Sequence, residues 1–576
     1  MKVFLFLSRV ACRFAAAALV AALLAACGGG NDRDFSAAGD GAALTHHGSL
    51  ASFMQQQLDW QPCAATGADA QPETAEQWAL ALSGDRVRCA RLRVPRDYDH
   101  PAAGALQIEL MRVAAAQPRH RLGAIVLNPG GPGASGLMMG LSTELKFRHA
   151  QDMRVRELGR RYDLIGFSPR GTGASNPLRC QLHEPLGAQD SLTFNRSAEN
   201  LRAAEHNARV VAEACLSNPL SRHIHTDATA RDMDLMRAVL GEVRLNYIGY
   251  SYGSWLGAWY ARLFPERVGR MLLDGNTDIG DPLAWQAQPA TARQRILDQI
   301  MLPYAQRHSH ELALGSADTL QAALLALAPP LQRALFSRID FRNSFLLDIG
   351  VLWMSAAIGL DSLLQAHPGV DAQGLRELIE RHAFVPSKPL NEIAALLAGN
   401  LLAALDEGTG SVEGEKQTVN DITALSPAAG VNLSVRCNDT GRLRDARYWR
   451  ELSDDDARRH PLLGGAAASN VCLHWSIPPR PFPAATAADS APLLMLQSRY
   501  DGITPVEQAM ATLAALPQAR MIVVEDEYQH GLFPYGTECV DRQVADYFLQ
   551  GTLPQRLSSC AGKAQPLLNA LRLHGG

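Results

Sequence analysis

Short apolar runs separated by helical patterns constrain the fold of this chain most strongly. The runs are rich in valine, isoleucine and leucine, and they cover residues 122–127, 162–167, 245–249, 270–274, 492–496 and 521–524. Continuous apolar runs of this length that alternate with helices are typical of parallel strands buried on both faces. The pattern therefore predicts an α/β fold with a mostly parallel central sheet and helices on both faces.

Two earlier segments have a different pattern. Residues 90–94 and 106–110 alternate apolar and polar side chains. Alternation with a period of two predicts strands with one exposed face, so we expect an antiparallel pair at the leading edge of the sheet.

The middle of the chain lacks strand-like runs. From about residue 285 to 470 the sequence is rich in alanine and leucine at helical spacing, and strands resume near residue 491. Two independent domains would leave the late strands without a sheet. We therefore predict one core in two parts, 59–284 and 471–576, interrupted by a helical lid or cap at 285–470.

The first residues resemble a bacterial lipoprotein signal. A basic start precedes an apolar run at 14–26, which is too short to span a bilayer comfortably, and small residues stand directly before Cys27. We predict a lipoprotein signal peptide at 1–27, a flexible tether at 28–58 and a lipid-anchored protein of the cell envelope, at the periplasmic or outer-membrane face. An ordinary cleaved signal with an incidental cysteine is the alternative.

Export changes how the other cysteines are interpreted. Outside the signal, eight of the ten cysteines remain. An even number in an oxidising compartment indicates disulfides, although eight cysteines allow 105 connectivities. We take the sequential pairing as the expectation: Cys63–Cys89, Cys180–Cys215, Cys437–Cys472 and Cys539–Cys560. Free buried thiols are the alternative. The sequence contains no Cys-x-x-Cys and no tight Cys/His cluster, so no metal site is predicted.

The segment Gly249-Tyr250-Ser251-Tyr252-Gly253 follows a predicted strand and opens a helical pattern. A serine hydroxyl is a poor nucleophile unless it is exposed beside a base, and a sharp strand-to-helix turn exposes it. The amides of the following helix face the site and favour developing negative charge. We therefore predict that Ser251 is a nucleophile.

A glycine-rich turn follows the strand that ends at Leu127. Its sequence, from Asn128 to Gly136, is Asn-Pro-Gly-Gly-Pro-Gly-Ala-Ser-Gly. Such a turn can present backbone N–H groups to an oxyanion. We assign the two donors to the N–H groups of Tyr252 and Gly131, with Gly130 as the alternative to Gly131.

Two further polar residues follow late strands. Asp501 comes after the run that ends near Gln497, and His530 comes after the run that ends near Glu525. The order Ser251, Asp501, His530 is the one that α/β-hydrolases use for nucleophile, acid and base. His530 would accept the serine proton, and Asp501 would hold the imidazole and stabilise its charged form.

These motifs together resemble those of the secreted tripeptidyl aminopeptidase and proline iminopeptidase group of α/β-hydrolases. The resemblance rests on segments 89–98, 129–133, 163–173, 249–253, 501–505, 529–531 and 539–560. Pro129 replaces the histidine of that group's glycine turn, and Ser168 replaces a usual aspartate. The resemblance spans about Trp60 to Cys560 and is weakest across the predicted lid.

The resemblance implies a serine exopeptidase that releases short N-terminal pieces from peptides through an acyl-enzyme, without metal or organic cofactor. A carboxylesterase or acyl hydrolase is the first alternative, since one fold supports many substrates. A catalytically idle binding lipoprotein is the second. The formal net charge of −4 shows no basic surplus, so we expect no nucleic-acid partner.

Overall fold

The computed structural model describes residues 50–63, 84–281, 289–312, 314–406, 423–440, 445–468, 470–484 and 492–563. The predicted signal peptide at 1–27, the lipidation site Cys27 and the first part of the predicted tether, residues 28–49, lie outside the described residues.

Within the described residues, nine strands form one large sheet. The strands are β1 (Val87–Pro95), β2 (Ala105–Val113), β3 (Gly123–Asn128), β4 (Tyr162–Phe167), β6 (Leu245–Tyr250), β7 (Val268–Asp274), β9 (Leu494–Ser498), β10 (Arg520–Glu525) and β11 (Leu557–Ala561). Their order is β1-β2-β4-β3-β6-β7-β9-β10-β11. The pairs β1–β2 and β2–β4 are antiparallel and the other pairs are parallel. The predicted sheet and its antiparallel leading edge are confirmed.

Two short strands, β5 (Cys180–Gln181) and β8 (Ala424–Leu425), pair separately. The α-helices of the described residues are α1 (Leu50–Met54), α2 (Met139–His149), α3 (Met153–Arg161), α4 (Ala198–Leu216), α5 (Thr226–Val239), α6 (Tyr252–Leu263), α7 (Pro289–Ile296), α8 (Leu302–Arg307), α9 (Ser309–Leu312), α10 (Ala317–Ala326), α11 (Pro329–Phe336), α12 (Leu347–Ala366), α13 (Ala372–Arg381), α14 (Lys388–Asp406), α15 (Pro427–Asp439), α16 (Ala446–Arg459), α17 (Val506–Ala515) and α18 (Glu538–Gln550).

The side chains of each central strand alternate between two hydrophobic cores. In β3, Ile125 and Leu127 pack with α2, α3 and α18, whereas Ala124 and Val126 pack with α5, α6 and α17 on the opposite face. Successive side chains of a strand point to opposite faces, so a continuous apolar run fills both cores at once. This arrangement explains why the strands are apolar throughout.

A third hydrophobic core lies among the helices between β7 and β9. Helices α7 to α14 supply most of it, and Tyr528 joins it from the second half of the sheet. Among the described residues, one helix, Ser344–Ala366, is long and apolar enough to cross a membrane, judged by length and composition alone. A second candidate span arises if the bent helix pair 309–326 and 329–336 is taken as one span. Leu352 and Leu360 of that helix are fully buried in the third core.

The predicted cap interval 285–470 does not pack as one unit. Most residues of the third core lie between 296 and 404, and Leu462 joins them, whereas Val435 of α15 and Trp449 of α16 pack into the main core with α5 and α6. A disulfide between Cys437 and Cys472 joins α15 to the segment beyond the predicted boundary. We therefore use the name cap for residues 289–406 only.

The tether prediction is wrong for residues 50–58. Phe53 of α1 is 3% exposed and packs into the main core. The side-chain amide of Gln56 donates to the carbonyl of Arg93 and its oxygen accepts the Arg93 N–H, so it pairs with β1 as a further strand residue would. Burial of one aromatic ring and these hydrogen bonds hold the segment on the core.

All four expected disulfides are present: Cys63–Cys89, Cys180–Cys215, Cys437–Cys472 and Cys539–Cys560. The last one ties α18 to the edge strand β11, and the first ties residue 63 to β1. Each cross-link of this kind restricts the unfolded chain and so stabilises the folded state by about 3 kcal/mol.

Candidate active site

Ser251 lies at the turn between β6 and α6. Its backbone has φ 57° and ψ −124°, a left-handed conformation that a residue with a side chain adopts only when its surroundings enforce it. The Ser251 N–H donates to the carbonyl of Asp274 on the neighbouring strand β7, at 2.8 Å. A Cβ at Gly249 would lie 2.4 Å from the Gly253 carbonyl, so the sharp turn requires glycine there. The serine is half-buried and stands at the carboxyl end of the sheet.

Asp501 and His530 are in direct contact. The Nδ1 of His530 is 2.8 Å from Oδ2 and 3.1 Å from Oδ1 of Asp501. Asp501 is 1% exposed, and its Oδ1 also accepts the N–H groups of Ile503 and Thr504. An ionised carboxylate only accepts hydrogen bonds, so Nδ1 carries the proton and Nε2 is left as the basic nitrogen.

Opposing effects set the basicity of His530. Burial alone would lower its pKa, but the charge and hydrogen bond of Asp501, and then the charge of Asp274, raise that pKa above its ordinary value. The positive charge of Arg342 lowers the pKa of His530. The surroundings of His530 therefore stabilise its imidazolium form.

The cap holds the loop that carries His530. The His530 N–H donates to the carbonyl of Arg342 at 2.7 Å, and the Ser344 N–H donates to the side-chain oxygen of Gln529 at 3.2 Å. On the core side, the Ser498 hydroxyl donates to the Gln529 carbonyl at 2.6 Å. The loop that carries His530, named the base loop after the role predicted for His530, is thus fixed between the cap and β9.

The base loop also contacts the turn of the candidate nucleophile. The Tyr250 hydroxyl donates to the Phe533 carbonyl at 2.6 Å. A Cβ at Gly275, which follows β7, would lie 3.1 Å from Cε1 of His530. Among the described residues, the Ser251 hydroxyl makes no hydrogen bond to His530. Such bonds in enzymes without substrate are often long and tighten only in the complex.

The glycine turn after β3 lies against the same serine. A Cβ at Gly130 would lie 2.9 Å from Cβ of Ser251 and 3.1 Å from the backbone nitrogen of Tyr252. The Gly130 N–H donates to Oδ1 of Asn128 at 2.9 Å, so it is engaged. Within the described residues the Gly131 N–H has no such acceptor. This geometry favours Gly131 over Gly130 as an oxyanion donor.

Helix α15 supports the glycine turn from outside. The side-chain amide of Asn432 donates to the Pro132 carbonyl at 2.9 Å, and a Cβ at Gly133 would lie 2.2 Å from the Ala428 carbonyl. No sequence pattern marked Asn432, because a side chain that contacts a backbone carbonyl 300 residues away leaves no local periodicity.

A buried polar network supports Tyr252. Its hydroxyl is 2.6 Å from the Thr226 hydroxyl, and the Thr226 N–H donates to Asp439 at 3.0 Å. Burial raises the pKa of Asp439 to about 7. The network connects Tyr252 of α6, the residue after Ser251, to two further helices, α5 and α15.

Asp274 is a second carboxylate at the candidate site, besides Asp501, and sequence reasoning missed it. It is fully buried at the end of β7, and its side chain accepts the N–H groups of Leu532 and Phe533. A polar residue near the carboxyl end of a buried strand was the signal that marked Asp501, and Asp274, the last residue of β7, carries a similar signal.

Comparison with known proteins relates the chain to hydrolases. Residues 460–560, which include Asp501 and His530, match the family described as TAP-like protein. A tripeptidyl aminopeptidase of Streptomyces lividans is 28% identical over 96% of this chain and 95% of its own length. The serine protease Hip1 of Mycobacterium tuberculosis is 25% identical over 88% and 91%. Carboxylesterase B of Mycobacterium tuberculosis is 29% identical over 82% and 86%.

The contact between α15 and the glycine turn predicts a stability effect. Gly133→Ala should lower the free energy of unfolding by about 3 kcal/mol, because the new Cβ meets the Ala428 carbonyl and because φ is 99°. Thermal unfolding by circular dichroism measures the change. Gly369→Ala is the matched control, since Gly369 has φ 89° and nothing lies within 4 Å of its Cβ position. Equal losses in both variants would contradict a tight contact at Gly133.

Proposed function

We propose that this chain, which belongs to the tripeptidyl aminopeptidase group of α/β-hydrolases, is a serine exopeptidase that releases short N-terminal pieces from peptides. In this proposal Ser251 is the nucleophile, His530 the general base and Asp501 the acid that orients it. The hydrogen bond between His530 Nδ1 and Asp501, at 2.8 Å beside the strained Ser251 turn, is the observation that carries the proposal.

The proposed reaction begins with attack of the Ser251 oxygen on the scissile carbonyl carbon. The serine proton moves to Nε2 of His530, and the carbonyl oxygen becomes an oxyanion near the N–H groups of Gly131 and Tyr252. The carbon–nitrogen bond then breaks, and His530 gives its proton to the leaving amine. Water attacks the acyl-enzyme by the same route, with His530 as base, and Ser251 is restored.

The choice of peptides as substrates is supported by the relatives. The names of two of them, tripeptidyl aminopeptidase and serine protease, denote peptide hydrolysis. A carboxylesterase is the second candidate, because carboxylesterase B matches at a similar identity and the same triad cleaves esters. An idle binding lipoprotein remains the third alternative.

One substrate panel distinguishes these alternatives. We expect hydrolysis of tripeptidyl-, prolyl- or aminoacyl-arylamides with a free N-terminus and little hydrolysis of the same compounds after N-acylation. Ser251→Ala should lower kcat by on the order of a millionfold, since it removes the nucleophile. Ser362→Ala, at an exposed serine of α12, is the matched control and should retain full activity.

Each other outcome of the panel has a defined meaning. Cleavage of short acyl esters alone would favour the carboxylesterase. Equal rates for blocked and free peptides would exclude an exopeptidase. Activity that survives in Ser251→Ala would overturn the mechanism, and absence of all hydrolysis would favour the binding lipoprotein.

We also propose that the protein is exported and anchored by a lipid on Cys27. The four disulfides support export, because such bonds form in oxidising compartments. Cys27→Ala should move the protein from the membrane fraction to the soluble fraction, whereas the control Cys12→Ala should not. Several acyl chains hold a protein firmly, so an unchanged membrane fraction in Cys27→Ala would refute the anchor.

A further inference from the structure

Asp274 contacts both the turn that carries Ser251 and the loop that carries His530, at the end of one strand. It is the last residue of β7 and lies opposite Tyr250 of β6 in the parallel ladder. Its main-chain carbonyl accepts the N–H of Ser251 at 2.8 Å, and it is 0% exposed. The backbone of this residue therefore helps to hold the strained serine.

The carboxylate of Asp274 holds the base loop. Its Oδ2 accepts the N–H of Leu532 at 2.8 Å and the N–H of Phe533 at 2.7 Å, two and three residues after His530. The Tyr250 hydroxyl also holds this loop, because it donates a hydrogen bond to the Phe533 carbonyl. The other oxygen, Oδ1, is buried without a hydrogen-bond partner among the described residues. A buried carboxylate oxygen without a partner is costly, and one amide oxygen could accept the same two N–H groups, so the loop contacts do not by themselves explain an acid here.

Asp274 also acts on His530 through its charge. Burial raises the pKa of Asp274 to about 7, although the two loop N–H groups and the charge of His530 lower it. The titratable and charged groups that act on this pair are Asp501, Arg342 and Tyr250. Asp501 raises the pKa of both Asp274 and His530, and Arg342 lowers the pKa of His530. Burial and then the charge of Asp274 raise the pKa of Tyr250 well above its ordinary value.

We propose that Asp274 is a positioning residue for the proposed hydrolysis, which fixes Ser251 and the His530 loop to one strand end and, when ionised, stabilises the imidazolium form of His530. The inference rests on the proposed function. Asp501 orients the imidazole of His530 by direct contact. Asp274 acts on His530 through its hydrogen bonds to the base loop and through the electrostatic effect of its charge. His530 thus takes up a proton between two buried carboxylates.

The sign of the pH effect follows from these charges. Removing the Asp274 charge lowers the pKa of His530, so the neutral base persists to lower pH and the acid limb of kcat/KM moves down by about one pH unit. The same loss destabilises the imidazolium formed during reaction, so kcat at the plateau falls by about tenfold. In the natural protein the two groups titrate as a coupled pair, and the acid limb belongs to both.

The test is the pH profile of Asp274→Asn, which keeps the shape of the side chain and an acceptor for the loop. We expect the downward shift of the acid limb together with the lower kcat, and little change in KM. Asp278→Asn is the matched control. Asp278 lies on the same connection after β7, but its carboxylate accepts the N–H groups of Gly280 and Asp281 instead of the base loop. An unshifted acid limb in Asp274→Asn, or an equal shift in Asp278→Asn, would overturn the inference.

A measurement on the unaltered protein covers the case in which Asp274→Asn does not fold. The ring nitrogens of His530, assigned by comparison with His530→Gln, should titrate in two steps in the nuclear magnetic resonance spectrum. A single step at the ordinary histidine value would overturn the role of Asp274. This readout needs no substrate, so it separates failure of the inference from failure of the proposed hydrolase activity.

Discussion

The contact between Asp501 and His530 is the interaction on which the rest of the site depends. Their carboxylate and imidazole meet at 2.8 Å although the residues come from separate loops after β9 and β10. A buried carboxylate that already accepts two backbone N–H groups is fixed in place, and it fixes the tautomer of the imidazole. The parallel ladder between β9 and β10 brings both loops to one sheet edge. Strand pairing is therefore the cause of the site geometry.

The site is held from several sides beyond the sheet. The cap contributes the Arg342 carbonyl to the His530 backbone, and α15 contributes Asn432 to the glycine turn. Asp274 links the loop after β10 to the turn after β6. These supports of the candidate site come from the cap, from α15 and from the sheet.

The central strands and the triad candidates could be predicted because their signals are local. A continuous apolar run followed by a polar residue marked Asp501 and His530, and the glycine spacing marked Ser251. Strand β11 was missed, since Leu557–Ala561 is short and contains two serines, and it pairs only at the sheet edge. The separate packing of α15 and α16 could not be predicted either. Their helical patterns match those of the cap, and only long-range contacts such as Cys437–Cys472 assign them to the main core.

Labelling with a fluorophosphonate reporter tests whether Ser251 is an activated nucleophile. Such a reporter forms a bond only with a serine oxygen that a neighbouring base activates. We expect one phosphonyl group per chain, mapped by mass spectrometry to Ser251, with loss of peptide hydrolysis in proportion and with slow labelling in His530→Ala. Stoichiometric labelling at another residue, or peptide hydrolysis that continues after Ser251 is fully labelled, would exclude Ser251 as the nucleophile.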